Sequence, residues 1–301
     1  MNILRIGFVG LDTSHVTAFA NLLNSPNEKF HIPGVRVVAA FKGGSEDLDI
    51  SRDRVAPLTQ ELVERHGVEI VESIEGLRSL CDAIFIESVD GRVHLEQFAS
   101  VADWGVPVFI DKPLATSLAE AKEIGLLAER NNVRLFSSSA LRFLEPLRKA
   151  LDTPDIGEIV GGDFYGPMVR LPEPPGFFWY GIHSVEMLFA TLGPGFEEVS
   201  VQAEEKHDLI IGRWTGGRLG TIRGNRVGNN TFGGTVHFEK ASVSFDSTQS
   251  ETPFYASLLR AVVRFLQDGE APVAISESIR IVEFIETANR LLKSNEGFGG
   301  Y

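Results

Sequence analysis

The sequence predicts an α/β chain: a doubly wound parallel sheet over residues 1–140, then a second domain over residues 141–301 that carries an antiparallel sheet. Three observations carry this reading. Short β-branched runs alternate with helix-length stretches as far as about Leu141, the spacing of right-handed βαβ units. From about Glu197 to Asp246, short alternating segments follow one another between glycine turns, as in an antiparallel meander. Between these regions, Val106–Asp111 ends in Asp111-Lys112-Pro113. That ending sets a fixed cation at the carboxyl edge of the sheet, where open α/β sheets bind ligands.

The first strand is residues 3–11, an apolar run ending in glycine that suits burial on both faces. After the turn Asp12-Thr13-Ser14-His15, apolar spacing predicts a helix over Val16–Asn24. Val35–Phe41 is the second strand, with Lys42-Gly43-Gly44-Ser45 as its turn. Helix over Leu58–His66, a short strand over Glu69–Val71 and a buried strand over Asp82–Ser88 follow. A helix over Val93–Trp104, strand Val106–Asp111, helix Ser117–Asn131 and strand Val133–Ser137 complete the first half. Beyond Leu141 the pattern reads as helix Phe143–Leu151, strand Glu158–Tyr165, a proline-rich loop Gly166–Gly176, the aromatic cluster Phe177–Tyr180 and helix Ile182–Leu192. The meander strands are Val199–Ala203, Asp208–Trp214, Arg218–Arg223, Thr235–Glu239 and Ser242–Phe245, and helices Phe254–Gln267 and Ser276–Leu292 close the chain.

Composition narrows the function classes. A formal net charge of −13 argues against non-specific nucleic-acid binding, which depends on Lys and Arg meeting phosphates. No apolar run is long enough to span a bilayer, and the N-terminus has no signal-peptide layout. Cys81 is the one cysteine, which excludes a disulfide framework and a thiolate zinc site. Together these point to the cytoplasm, with a small molecule rather than a nucleic acid or membrane as partner.

A dinucleotide-binding fold normally shows G-x-G-x-x-G after its first strand, because backbone there approaches the pyrophosphate closely. Here the stretch reads Gly10-Leu11-Asp12-Thr13-Ser14-His15, and only the first glycine is present. An unpaired carboxylate about 4 Å from a phosphate costs roughly 4 kcal/mol at an effective dielectric of about 20, near a thousandfold in affinity. Two readings stand for this turn. Thr13, Ser14 and the helix N-terminus hold phosphate while Asp12 points elsewhere, or Asp12 or Ser14 caps the helix and fills the anion site itself. Lys42, after the second strand, offers a 2′-phosphate contact that favours NADP over NAD, or is a solvated loop lysine.

Four features in order resemble the Gfo/Idh/MocA oxidoreductases: Ile6-Gly7-Phe8-Val9-Gly10, the loop from Ser88 to His94, Asp111-Lys112-Pro113-Leu114, and Gly181-Ile182-His183-Ser184-Val185-Glu186. The resemblance implies a Rossmann domain, then an α/β domain with a large, mostly antiparallel sheet. It implies hydride transfer between a sugar or polyol carbon and NAD or NADP. Lys112 matches the family's Glu-Lys-Pro lysine, with Asp111 in place of the glutamate, and His183 matches its catalytic histidine. Glu186 stands for an aspartate three residues later, and Arg142-Phe143 for an Arg-Phe pair. Gly10, Asp12, Thr13, Ser14, His15, Lys42, Ser88, His94, Asp111 and Lys112 are thus the cofactor positions. Arg142, Trp179, Tyr180 and Glu186 are the substrate positions, and a homo-oligomer, dimer or tetramer, is implied.

One departure bears on mechanism. The family's aspartate four residues before the histidine is Trp179 here, and an indole accepts no proton. A catalytic use of the pair assigns His183 as base and Lys112 as stabiliser of a developing alkoxide. Two alternatives stand beside it: a catalytically silent sugar- or nucleotide-binding relative, and an acid–base lyase or isomerase. His15, His94, His183 and Glu186 are metal-ligand types, yet no H-x-x-E-H or H-E-x-x-H spacing joins them, so no metal is expected. The cluster Phe177–Tyr180 suits either a sugar ring or packing, and Ser137-Ser138-Ser139 either lines the cofactor site or ends a strand.

Overall fold

The computed structural model describes residues 3–169 and 176–296. It divides into two compact units. One comprises the described residues through Ser138 together with Tyr255–Ile279, the other Ser139–Phe254 and the described residues from Arg280 onward. Residues 255–279, which lie inside the stretch 141–301 read as the second domain, therefore pack with the first unit.

The first unit holds β1 (Leu4–Val9), α1 (His15–Asn24), β2 (Val35–Phe41), α2 (Asp49–His66), β3 (Glu69–Val71), β4 (Ala83–Ile86), α3 (His94–Ala99), β5 (Val108–Asp111), α4 (Leu118–Arg130) and β6 (Leu135–Ser138). The strands form one six-stranded sheet in the order β3-β2-β1-β4-β5-β6, all parallel, as the doubly wound reading requires. One phenylalanine per strand keeps the register. Phe8, Phe85, Phe109 and Phe136 sit side by side on β1, β4, β5 and β6, with ring centroids 5.9, 5.3 and 5.5 Å apart. Phe265 of α7 (Phe254–Asp268) extends the row at 5.8 Å. Each such contact adds about 0.5–1.5 kcal/mol beyond buried area, and a slip by one residue would turn the whole row to the other face.

The second unit contains α5 (Glu145–Leu151), β7 (Ile159–Pro167), α6 (Gly181–Leu192), β8 (Phe196–Ala203), β9 (His207–Trp214), β10 (Leu219–Asn225), β11 (Gly233–Phe238) and β12 (Ser242–Asp246). The last helix, α8, spans Ile275–Glu296. The second sheet is six-stranded with order β12-β11-β7-β10-β9-β8, mostly antiparallel. Trp214, Phe189, Phe196 and Phe284 pack beneath it, edge to face except for the tilted Trp214–Phe284 pair, with neighbouring centroids 5.2–6.3 Å apart.

The structure corrects several boundaries. The meander is interrupted, because β7 inserts between β10 and β11 and pairs in parallel with β10. Glycines at 161 and 234 allow that close insertion: a Cβ on Gly161 would meet Leu219 O at 2.8 Å, and one on Gly234 would meet Asp163 O at 2.6 Å. Helix α2 starts at Asp49 rather than Leu58 and contains Pro57. Its first half is polar and lacks an apolar stripe, so periodicity was silent there. The helix after β4 ends at Ala99 rather than Trp104, and a 3-10 turn, Ala140–Phe143, precedes α5. Strand β7 runs on to Pro167, into the proposed loop, whose residues 170–175 lie outside the described residues.

Gly10 ends β1 at φ +91°, and a Cβ there would sit 2.6 Å from Ser88 N and 2.7 Å from Ser88 Cα. The left-handed backbone and the contact with β4's extension both demand glycine. Gly10→Ala is expected to destabilise the chain by about 2–4 kcal/mol in urea unfolding; an unchanged midpoint would show that the loop adapts freely.

Candidate active site

The carboxyl edge of the first sheet is built from the ends of β1, β4 and β5. Beyond Gly10 the chain enters α1, whose first turn carries no acid and whose N-cap, Ser14, makes no side-chain cap bond. Asp12 does not cap either. It is fully buried, with Oδ1 accepting from Val89 N at 2.9 Å and Oδ2 from Ser51 Oγ at 2.6 Å. Both forms of the self-capping reading are thereby overturned: the carboxylate is drawn to the loop after β4 and to α2. Among the described residues, the backbone amides of Asp12, Thr13 and Ser14 donate to no group of the chain. Consecutive unpaired amides entering a helix form an anion-binding concavity.

Behind this loop lies a cluster of buried charge. His15 Nδ1 is 2.6 Å from Asp111 Oδ2, and its ring is packed against Phe19 and Tyr255 at 5.5 and 4.7 Å. Glu87 follows β4 and is fully buried; Asp111 ends β5 and is 2 % exposed; Lys112 follows it at 8 %. Burial, then the neighbouring Asp111, pushes the Glu87 carboxyl well above the usual carboxylate range, with Lys112 opposing. Burial also raises Asp111, but His15 and then Lys112 outweigh it and hold Asp111 below that range. Lys112 is lowered by burial, against the support of Asp111 and Glu87. The Lys112–Pro113 peptide is cis.

His94, a cofactor position by the resemblance, staples two loops together. It is fully buried, with Nδ1 2.8 Å from Pro113 O and Nε2 2.8 Å from Ser88 O. Ser88, another such position, accepts from Gln97 Nε2 at 2.8 Å and packs on Gly10. Lys42 is exposed after β2. Below it the loop 43–48 is closed by a network that sequence reading missed. Ser45 Oγ donates to Asp90 Oδ2 at 2.7 Å, Ser45 N donates to Ser51 Oγ at 2.7 Å, and Arg92 bridges Asp90 and Asp47 with bonds of 2.7–3.1 Å. Burial pushes Asp90 up, but the Arg92 guanidinium and the Ser45 hydroxyl hold it below the usual carboxylate range.

In the second unit, helix α6 presents His183 and Glu186 one turn apart. His183 Nδ1 lies 2.7 Å from Ser139 Oγ. Glu186 Oε1 accepts from Ser139 N at 3.0 Å, and its Oε2 from Arg142 Nη1 at 3.1 Å. Removing one member of a buried ion pair typically costs about 3–5 kcal/mol, so Arg142 and Glu186 hold the Ser139 turn firmly against α6. Trp179 and Tyr180 are half-buried, in a ring series that runs Trp179–Tyr180–His183–Phe232 at 5.9, 5.8 and 5.4 Å. Phe177 and Phe178 are core residues at 1 % and 3 % exposure, so only half of the aromatic cluster is available to a ligand.

The first unit thus brings Asp12, His15, Asp111 and Lys112 together, and the second unit Arg142, His183 and Glu186. Of the four metal-type residues taken together from the sequence, only His15 joins a ligand-like group among the described residues, and its companions are Glu87 and Asp111. Glu87 was missed. Its signal was a carboxylate closing an apolar run buried on both faces, at Ile84-Phe85-Ile86-Glu87.

Residues 4–139 match the family model described as an oxidoreductase family with an NAD-binding Rossmann fold. YceM of Salmonella typhimurium is 29% identical over 51% of this chain and 44% of its own length. YhhX of Escherichia coli is 27% identical over 33% of this chain and 32% of its own, and both are named as oxidoreductases. The chain therefore spans less than half of either relative. Among solved structures, GenD2 from gentamicin A biosynthesis, in complex with NAD, has a TM-score of 0.79 at 16% identity, covering 98% and 95% of the two chains. A probable dehydrogenase from Thermotoga maritima scores 0.77 at 21% identity, covering 97% of each. Scyllo-inositol dehydrogenase from Lactobacillus casei, with NAD(H) and scyllo-inositol, scores 0.79 at 14%, covering 98% of each. At these identities the likeness to the structures is one of fold.

The Asp90 network makes a pH prediction. A carboxyl whose folded pKa is depressed adds stability above its unfolded pKa and loses it as pH falls through the folded value. Asp90→Asn is expected to lower the melting temperature at neutral pH and to shallow the loss of stability below about pH 4. Parallel acid-denaturation curves for the two proteins would count against the network.

Proposed function

Because residues 4–139 belong to the Gfo/Idh/MocA oxidoreductase family, we propose that the chain is an NAD(P)-dependent oxidoreductase that moves a hydride between a nicotinamide and the carbon of a sugar- or polyol-type hydroxyl. The observation that carries the cofactor part is the run of unpaired amides at Asp12, Thr13 and Ser14, beside an α1 N-terminus with no acid in its first turn. The carboxylate that a missing glycine would have put against phosphate is occupied by Ser51 and Val89. The residues present therefore fit a pyrophosphate. When bound, a nicotinamide dinucleotide supplies the hydride acceptor or donor.

The chain's own residues supply charge and proton handling. Lys112, buried and supported by Asp111 and Glu87, stabilises the developing alkoxide as its hydroxyl proton leaves. His183 is assigned as the base, its ring oriented by Ser139 rather than by a carboxylate at position 179. Glu186 and Arg142 act through Ser139 as positioning residues. Trp179 and Tyr180 give the substrate an aromatic flank. The exposed Lys42 supports the 2′-phosphate form of the cofactor. Ile211 and Leu219, 38 % and 54 % exposed on β9 and β10, are apolar positions suited to association of copies.

Thermal-shift titrations with NAD, NADH, NADP and NADPH test the cofactor, since a ligand that binds only the native state must raise the melting temperature. At least one is expected to do so, and silence from all four at millimolar concentration would move the assignment to a non-redox relative. With inositols and hexoses as a substrate panel, Lys112→Ala and His183→Ala should each reduce turnover by roughly a hundredfold or more. Activity retained in both would sink the assignment of roles.

A further inference from the structure

His15, Glu87 and Asp111 each offer one ligand-type atom within 4.8 Å of the other two, and all three are buried. They come from the first turn of α1 and from the carboxyl ends of β4 and β5. Neither carboxylate oxygen of Glu87 has a hydrogen-bond partner among the described residues, and Asp111 Oδ1 also has none. Orphan carboxylate oxygens without access to water destabilise the fold. Evolution or drift would remove them cheaply by placing an apolar residue at position 87, so their presence calls for an occupant.

Charge says what kind. Glu87, Asp111 and the adjacent Asp12 are three buried carboxyls near one ammonium, that of Lys112. With His15 neutral, as a metal ligand is, the three ionised carboxylates and the one ammonium leave a deficit of two charges, which a single divalent cation removes. Donor type narrows it further. A mixed imidazole and carboxylate set suits manganese, iron(II) or zinc better than calcium or magnesium, which favour oxygen alone. The ring of His15 is fixed in place between Phe19 and Tyr255 and against Asp111. Around an ion with bonds of about 2.1 Å, ligand atoms stand roughly 3–4 Å apart, so a closure of about 1 Å completes the set.

We propose that His15, Glu87 and Asp111 form a binding site for one divalent ion of the manganese–iron–zinc class, beside Lys112. His15 occupies a loop position that is glycine in the dinucleotide fingerprint, and Asp111 one that is glutamate in the family pattern. The two departures thus fall on one site. The inference is independent of the redox reading, because it concerns ion binding and leaves the amides of residues 12–14 to another ligand.

The test uses the full chain, stripped with chelator and dialysed against micromolar manganese or zinc, with bound metal measured by plasma mass spectrometry and stability by thermal shift. Wild type is expected to retain about one ion per chain and to melt higher with it. Glu87→Gln and His15→Gln should each weaken binding by about a hundredfold. Glu87→Gln preserves the shape and neutrality of a protonated glutamate, so it should stay folded while losing the ion, and circular dichroism confirms this. Negligible retention by folded wild type would overturn the proposal. Equal retention by wild type and both variants would do the same, placing the ion on surface carboxylates. A dinucleotide response measured separately is unaffected by either outcome.

Discussion

Charge taken out of water has to be answered where it lies, and at the carboxyl edge of the first sheet that requirement organises everything around it. Asp12, Glu87, Asp111 and Lys112 are each at most 8 % exposed. The parallel sheet delivers them there, because the ends of β1, β4 and β5 are neighbours in the strand order. Each is answered differently. Asp12 is bonded by a hydroxyl and an amide, Asp111 by His15, and Lys112 by the acids beside it, while Glu87 relies on protonation or a cation. The same economy appears in the second unit, where Arg142 and Glu186 lock each other and fix the Ser139 turn that holds His183.

Seen this way, the broken glycine fingerprint is a rearrangement rather than a loss. The acid introduced at position 12 is turned inward and bonded by a hydroxyl and an amide, so it does not point at a phosphate. The helix entry keeps unpaired amides without needing the second and third glycines. His15, in place of the third glycine, is accommodated by an aromatic pocket of Phe19 and Tyr255 and becomes part of the charged cluster. Loop-to-loop staples then replace the conformational economy of glycine. His94 ties the loop after β4 to Pro113, and Arg92 ties it to the loop after β2.

Much of the architecture was legible in the sequence because it rests on short-range pattern. Alternation of buried strands and helices marked the first sheet, and the lysine after Val106–Asp111 marked its carboxyl edge. What escaped depends on contacts distant in sequence. The insertion of β7 between β10 and β11 is decided by glycine clearances across strands, which no local periodicity records. The polar half of α2 is stabilised through Ser51, whose partners at 12 and 45 lie in other loops. Glu87 sat inside a run read as apolar, and only the fold shows that its neighbours are Asp111 and His15. His94 was recognisable as a motif residue, but its work on two backbone carbonyls was not.

The most direct measurement is nuclear magnetic resonance of the chain carrying isotope-labelled lysine, following the Lys112 side chain through a pH titration with and without NAD or NADP. Its ammonium is expected to titrate below the ordinary lysine range, and its signal to move when a dinucleotide binds. A Lys112 signal that titrates as a solvated lysine and ignores every dinucleotide would contradict the account at its centre.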